Sequence, residues 1–164
     1  YSNNLLRSNK EVLDAIYNNS NPKIKIATVD IDGVLRGKYI HKEKFASAIE
    51  NGLGFCSVIF GWDCNDNLYD RVEHTGWHTG YHDDEAYIDT NTFRNVPWDN
   101  NVPFFLVDFT KKADETHRAC PRSVLKNIKH QAATMGYQAL FGQEFEWFNF
   151  KETSQSLVEK TLVH

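Results

Sequence analysis

Long apolar runs are missing from this chain. No stretch of its 164 residues is apolar for long enough to cross a bilayer as a helix, so a helical membrane protein is not expected. No signal-peptide pattern opens it. An excess of positive charge is missing too. Lys and Arg number 18 against 22 Asp and Glu, a net charge of −4, with no basic patch, so nucleic acid is not an expected partner. Cysteine is scarce: Cys56, Cys64 and Cys120 form no C-x-x-C pair, which fits a reducing, cytosolic setting. There is no solenoid repeat and no low-complexity tract. No Gly-rich phosphate loop of either common type is present, and no Ser-His-Asp or Cys-His arrangement can be argued. Methionine occurs only at 135 and the chain opens on Tyr1, so it reads as an excerpt of a longer protein.

What is present is enough for a core. The chain is 41% hydrophobic and 13% aromatic, which suits one domain, or one small domain with a piece of another. Ser8-Asn9-Lys10-Glu11 has the form of a capping box, and Val12, Leu13 and Ile16 follow, predicting a helix from about 9 to 18. "KIKIATVDI" begins as an alternating strand, with Ile24 and Ile26 between lysines. Asp32-Gly33 predicts a tight type I′ hairpin turn, with "VLRGKYI" as the returning strand. "HKEKFASAIENG" predicts a helix with Phe45, Ala48 and Ile49 inward and Gly52 as its stop. From Phe55 to Phe109 the texture is strand and loop, with "VPFFLVDFT" a strand. At Cys120-Pro121-Arg122 the style changes. Pro121 suits a first helical turn, Val124, Leu125, Ile128, Ala132 and Met135 share a face, and Gly136 closes it. "YQALFGQEFEWFNF" predicts a further strand. A domain boundary is expected between about 110 and 120.

Three constellations could carry chemistry. On a strand, Glu144 and Glu146 share one face, roughly 7 Å apart, with Phe145 and Trp147 on the other. Two like charges so placed repel unless solvated or bridged by cations, and Phe148 and Phe150 continue their face. Oxygen-only ligands suit magnesium or manganese; a wet strand face is the bland alternative. His74, His78 and His82 recur every four residues, which on a helix would make a metal face. Gly76 and Gly80 interrupt that helix, so histidines in an aromatic loop are the expected reading. Third, Asp30-x-Asp32-Gly33 after an apolar run resembles the nucleophile motif of haloacid-dehalogenase-type phosphatases, with Asp30 as nucleophile and Asp32 as general acid. The chain does not alternate strands and helices as that fold requires, and Arg36-Gly37-Lys38 runs straight into a second strand, so the hairpin reading is preferred.

Taken together, the chain resembles glutamine synthetases from about Lys23 to Lys160. The matching segments are "DIDGVLRGK", "GLGF", "GYHDDEAYIDTNTFRNVPW", "FFLVDF", "CPRSVLKN", "MGY" and, most specifically, "GQEFEWFNF". The resemblance implies an α+β chain. Residues 1–21 would be an N-terminal helix and linker, about 22–112 a β-grasp domain, and 113–164 the first helix and strand of the catalytic domain. It implies that Glu144 and Glu146 each serve a different one of two divalent cations, Mg2+ or Mn2+. ATP would phosphorylate glutamate to γ-glutamyl phosphate, and ammonia or another amine would displace the phosphate. The family builds its sites between subunits of a homo-oligomeric ring, using an acidic residue on an N-terminal loop. Cys56 and Ser57 stand where that acid is usually found, and Asp63 is the nearest candidate. "TGWHTGY" looks more like divergent bacterial branches that glutamylate other amines. The remaining metal ligands, nucleotide pocket and glutamate-binding arginines of the family lie beyond this stretch, so the chain alone is expected to be inactive. A non-catalytic oligomeric scaffold of the same fold is the second reading.

Overall fold

Helix α1 (Asn9–Asn18) starts where the capping box places it. The Ser8 backbone N–H donates to the Glu11 carboxylate at 2.8 Å, and the Glu11 N–H donates back to Ser8 Oγ at 3.2 Å. Val12 and Ile16, one helical turn apart, are fully buried. These elements come from a computed structural model, which describes residues 8–112 and 114–161. The expected boundary region therefore includes one position, 113, outside the described residues, as are residues 1–7.

Strand β1 (Lys23–Val29) buries Ile24 and Ile26 as its alternation predicts, then becomes buried on both faces through Ala27 and Thr28. It turns into β2 (Leu35–His41) with Val29 opposite Leu35. The turn differs from the expected type I′. The Gly33 N–H donates to Asp30 O at 3.1 Å, the Asp30 N–H donates to Val34 O at 2.9 Å, and of Asp32 and Gly33 only Gly33 has positive φ, at 83°. That is a three-residue loop, a type I turn closed by a left-handed glycine. The buried Asp30 side chain, which bonds inside the loop, favours it over the two-residue form.

Helix α2 (Lys42–Asn51) presents Phe45 and Ala48 to the core and stops at Gly52, φ 76°. Strand β3 (Leu53–Cys56) follows, then 3₁₀ turns at Ser57–Phe60 and Trp77–Thr79. The long strand β4 (Asp83–Val96) carries a register shift between Asp89 and Arg94, and β5 (Val102–Asp108) is buried along nearly its whole length. The sheet order is β2-β1-β5-β4-β3. The central β1–β5 pair is parallel and the other pairs are antiparallel. This mixed sheet, with α1 and α2 packed on it, is the expected β-grasp-like arrangement. Its core centres on Phe105, which meets Phe45 at 4.7 Å and stacks on Phe93 at 5.1 Å between ring centroids.

Helix α3 (Pro121–Thr134) has Pro121 in its first turn, as predicted. Its first turns are tied to the sheet by charge. Arg122 donates to Asp108 and Asp89, each at 2.5 Å, and Lys126 also reaches the Asp108 carboxylate. The buried Ser123 hydroxyl accepts from the His117 N–H and donates to Cys120 O, each at 3.0 Å. Its predicted apolar face is not buried: Val124, Leu125, Ile128 and Met135 are about half exposed or more. The segment expected as a strand, 137–150, runs without a ladder partner among the described residues. Pattern gives a strand its faces, but only a neighbouring strand makes it one, and none of the five described strands lies beside it. Helix α4 (Ser154–Thr161) was not anticipated. Its signal is Thr153, whose hydroxyl accepts from the Ser156 N–H at 3.1 Å.

Candidate functional site

The Asp-x-Asp-Gly motif sits at the tip of the β1–β2 hairpin. Asp30 is fully buried. Its Oδ1 accepts the Asp32 and Val34 N–H groups at 3.0 and 2.8 Å, and its Oδ2 accepts from Arg36 Nε at 2.7 Å. A fully buried carboxylate with three of its roughly four acceptor positions filled organises a turn and is closed to an incoming phosphate. Asp32 accepts from the Cys64 N–H at 2.9 Å. Arg36 then reaches Asp66 at 2.5 Å and Asp63 O at 3.0 Å, with its guanidinium 4.9 Å from the Trp62 ring centre. The hairpin therefore serves as the mount for the loop 62–70. This is the arrangement of a structural turn, as preferred from sequence.

Asp63 lies on that mounted loop. Its Oδ1 accepts the Asn65 and Asn67 N–H groups at 2.8 and 2.9 Å, and its Oδ2 accepts the Asn67 side-chain amide at 3.0 Å. Hydrogen bonds from Asn67, first its side chain and then its backbone, hold the Asp63 carboxyl below the usual carboxylate range. Asp63 is thus anionic at neutral pH, in a loop fixed by its own carboxylate.

Glu144 and Glu146 lie in the exposed segment after α3. No hydrogen bond or ion pair engages either among the described residues. Around them Phe141, Phe145, Trp147, Phe148 and Phe150 are all at least 73% exposed. So much aromatic surface next to a half-bare α3 face is far more than an isolated surface carries by chance. The two glutamates thus stand free in an apolar surface that calls for cover.

The histidines resolve differently. His78 turns away and meets Glu73 O at 3.1 Å. His74 and His82 converge on Asp84: His74 Nε2 is 2.7 Å from Oδ2 and His82 Nε2 is 3.3 Å from Oδ1. A fourth member comes from the β5–α3 connection, His117, with Nε2 3.4 Å from Asp84 Oδ2. The helical spacing was the wrong geometry, since the glycines break it into a loop, yet two of its three histidines meet. His117 gave no sequence signal: it is a lone histidine in a polar stretch, and only the chain's path brings it back. Phe60 and Phe109 wall the group, with the His117 ring 5.3 and 5.1 Å from them. Burial pushes the His117 imidazole below its usual value, against the opposing pull of Asp84.

No family model matches the chain. Among curated proteins it is 47% identical over 156 residues to type-1 glutamine synthetase 2 of Dictyostelium discoideum, covering 95% of this chain and 30% of that protein. It is 33% identical over 148 residues to a glutamate–isopropylamine ligase of a Pseudomonas species, covering 90% and 32%. It thus spans about a third of the length of these relatives. Among solved structures, the cryo-electron-microscopy structure of Plasmodium falciparum glutamine synthetase superposes with a TM-score of 0.55 at 16% identity, over 79% of this chain and 23% of that one. At that identity the superposition speaks for the fold alone.

Proposed function

The chain belongs to the glutamine synthetase family, and from that premise we propose that the whole protein is an ATP-dependent ligase joining an amine to the γ-carboxylate of glutamate. The observation that carries this reading is the 47% identity over 156 residues to a glutamine synthetase. The 33% identity to an isopropylamine ligase widens the choice of acceptor from ammonia to small alkylamines. The reaction is a phosphoryl transfer from ATP to the γ-carboxylate, followed by attack of the amine nitrogen on the acyl carbon, with phosphate leaving and one proton lost from nitrogen.

The residues present fit the metal that such chemistry uses. Glu144 and Glu146 are unengaged carboxylates two residues apart, an oxygen-only donor set suited to Mg2+ or Mn2+. An ion held there supplies neutralisation of phosphate charge. The glutamates lie beside the apolar strip Phe145–Phe150, and once that strip is covered the exclusion of water would strengthen their electrostatic contacts. The exposed face of α3 and that strip are the surface against which the rest of a catalytic domain, beginning near residue 113, packs. The register of the two glutamates would then be set by sheet neighbours from that remainder. Asp63, anionic and on a preformed loop, is the residue we assign to a neighbouring subunit's site in a ring-shaped homo-oligomer. Its lowered pKa suits attraction of an ammonium group better than proton abstraction near neutrality. The reducing environment that the unpaired cysteines favour makes the cytoplasm its place.

The test is phosphate release from ATP and glutamate by the longest natural form of the chain. It is run with magnesium against ammonia, isopropylamine, ethanolamine and polyamines, beside Glu146→Ala. Amine-dependent release that disappears in the variant supports the ligase and names its amine. A folded oligomer that releases no phosphate with any amine replaces this reading with a scaffold of the same fold.

A further inference from the structure

We propose that His74, His82 and Asp84 form a binding site for a zinc-like divalent transition-metal ion, with His117 holding Asp84 in place. This site is separate from the two glutamates and independent of the ligase reading.

The donor geometry comes first. One ligand atom from each of His74, His82 and Asp84 lies within 4.8 Å of the other two. Ligands about 2.0–2.1 Å from a tetrahedral zinc stand roughly 3.3 Å from one another. The His82–Asp84 separation, 3.3 Å to Oδ1, matches that edge, and the His74–Asp84 separation, 2.7 Å to Oδ2, is somewhat shorter.

The chemistry of the set selects the ion. Two imidazole nitrogens and one carboxylate oxygen suit zinc and its first-row neighbours, whereas magnesium and calcium prefer oxygen alone. The contrast with the oxygen-only pair Glu144 and Glu146 points the two sites toward different kinds of metal. Three protein ligands leave a tetrahedral ion one open position. The exposure gradient gives that position a direction. The Asp84 and His74 side chains are 12% and 18% exposed while His82 is 44% exposed, so the open side is at His82.

His117 plays a different part. Its Nδ1 accepts the Ala119 N–H at 3.3 Å, so its remaining proton is on Nε2, which faces Asp84 Oδ2 at 3.4 Å. That N–H is turned toward the carboxylate and placed to orient it, the usual supporting role beside a metal ligand. Phe60 and Phe109 wall its ring on the inner side. The ligands come from the loop before β4 and from β4 itself, and His117 comes from the connection to α3. An ion here joins the sheet to the segment that leads into α3.

The experiment uses the longest natural form, stripped of metal by chelation and held in excess magnesium to fill oxygen-only sites. Cobalt(II) is added and the visible absorption followed, then displaced with zinc. The expected result is one equivalent of cobalt with the intense bands of a four-coordinate ion. Those bands vanish in His82→Ala and Asp84→Asn and persist in His78→Ala. His117→Gln weakens zinc binding about 10- to 100-fold. Because His82 is partly exposed, His82→Ala is expected to stay folded, checked by circular dichroism. Absence of the bands in the parent protein, or bands unchanged in folded His82→Ala, overturns the proposal.

Discussion

Replacing Asp30 with asparagine tests whether this buried acid is architecture or chemistry. The substitution keeps an oxygen for the Asp32 and Val34 N–H groups, which Asp30 Oδ1 now accepts at 3.0 and 2.8 Å. It replaces Oδ2, the acceptor for Arg36 Nε at 2.7 Å, with an N–H that cannot accept. The loss is one hydrogen bond to a charged group at a fully buried carboxylate, about 1.5–3 kcal/mol. The Arg36 contacts to Asp66 and to Asp63 O remain and keep the loop 62–70 in place. The damage should therefore be local opening of the hairpin tip rather than global unfolding. In hydrogen exchange, where each 1.4 kcal/mol is a factor of ten, protection at the Asp32, Val34 and Cys64 amides should fall roughly 10- to 150-fold. Protection in β5 should change little. Amine-dependent phosphate release should persist, and hydrolysis of a phosphate monoester should be absent in both proteins. Exchange unchanged at the three amides would refute the structural account. Monoester hydrolysis by the parent that Asp30→Asn abolishes would revive the nucleophile reading.

Three further outcomes follow from packing and charge. Gly37→Ala would place a Cβ 2.4 Å from Ile26 O and 2.9 Å from Ala27 Cβ, so β2 must move off β1; the urea midpoint should drop by the equivalent of about 1–3 kcal/mol. Phe105→Ala empties the centre of the core and should cost about 3–5 kcal/mol, a large part of a domain's total, read as loss of soluble folded protein at 37 °C. For Asp63, the folded pKa lies below its ordinary 3.8, so its contribution is complete above that value and lost as pH falls through the folded one. Proteolytic nicking of the loop 63–67 should therefore rise only in strong acid, and Asp63→Ala should show the same nicking at neutral pH.

Local signals proved readable and distant ones did not. Ser8 and Glu11 announce the start of α1 because both halves of a capping box lie within one turn. Gly52 announces the end of α2 because a left-handed residue is needed there. The Asp-Gly pair announced a hairpin but not its type, because the loop form depends on a buried side chain bonding back into it. The segment 137–150 has a strand's alternation without a strand's partner among the described residues, and the partner is a matter of tertiary structure. The histidines show the same limit. Their glycine-broken spacing pointed to a loop, as found, while their meeting depends on a loop, a strand start and a connection that nothing local links. The matches to glutamine synthetases carried more than periodicity could, because "GQEFEWFNF" and "CPRSVL" are specific where alternation is generic.

The parallel pairing of β1 with β5 has a consequence for biosynthesis. Lys25 waits for Phe104 before the centre of the sheet can close. At roughly 5–20 residues per second, the ribosome takes about 4–16 s to deliver that partner. Throughout that interval the β1–β2 hairpin has an open edge of unpaired β1 backbone and an uncovered face bearing Ile24 and Ile26, the kind of surface to which other chains add. Yield in a cell should therefore respond to translation speed and to chaperones that cover nascent strands, even for variants whose finished fold is as stable as the parent's.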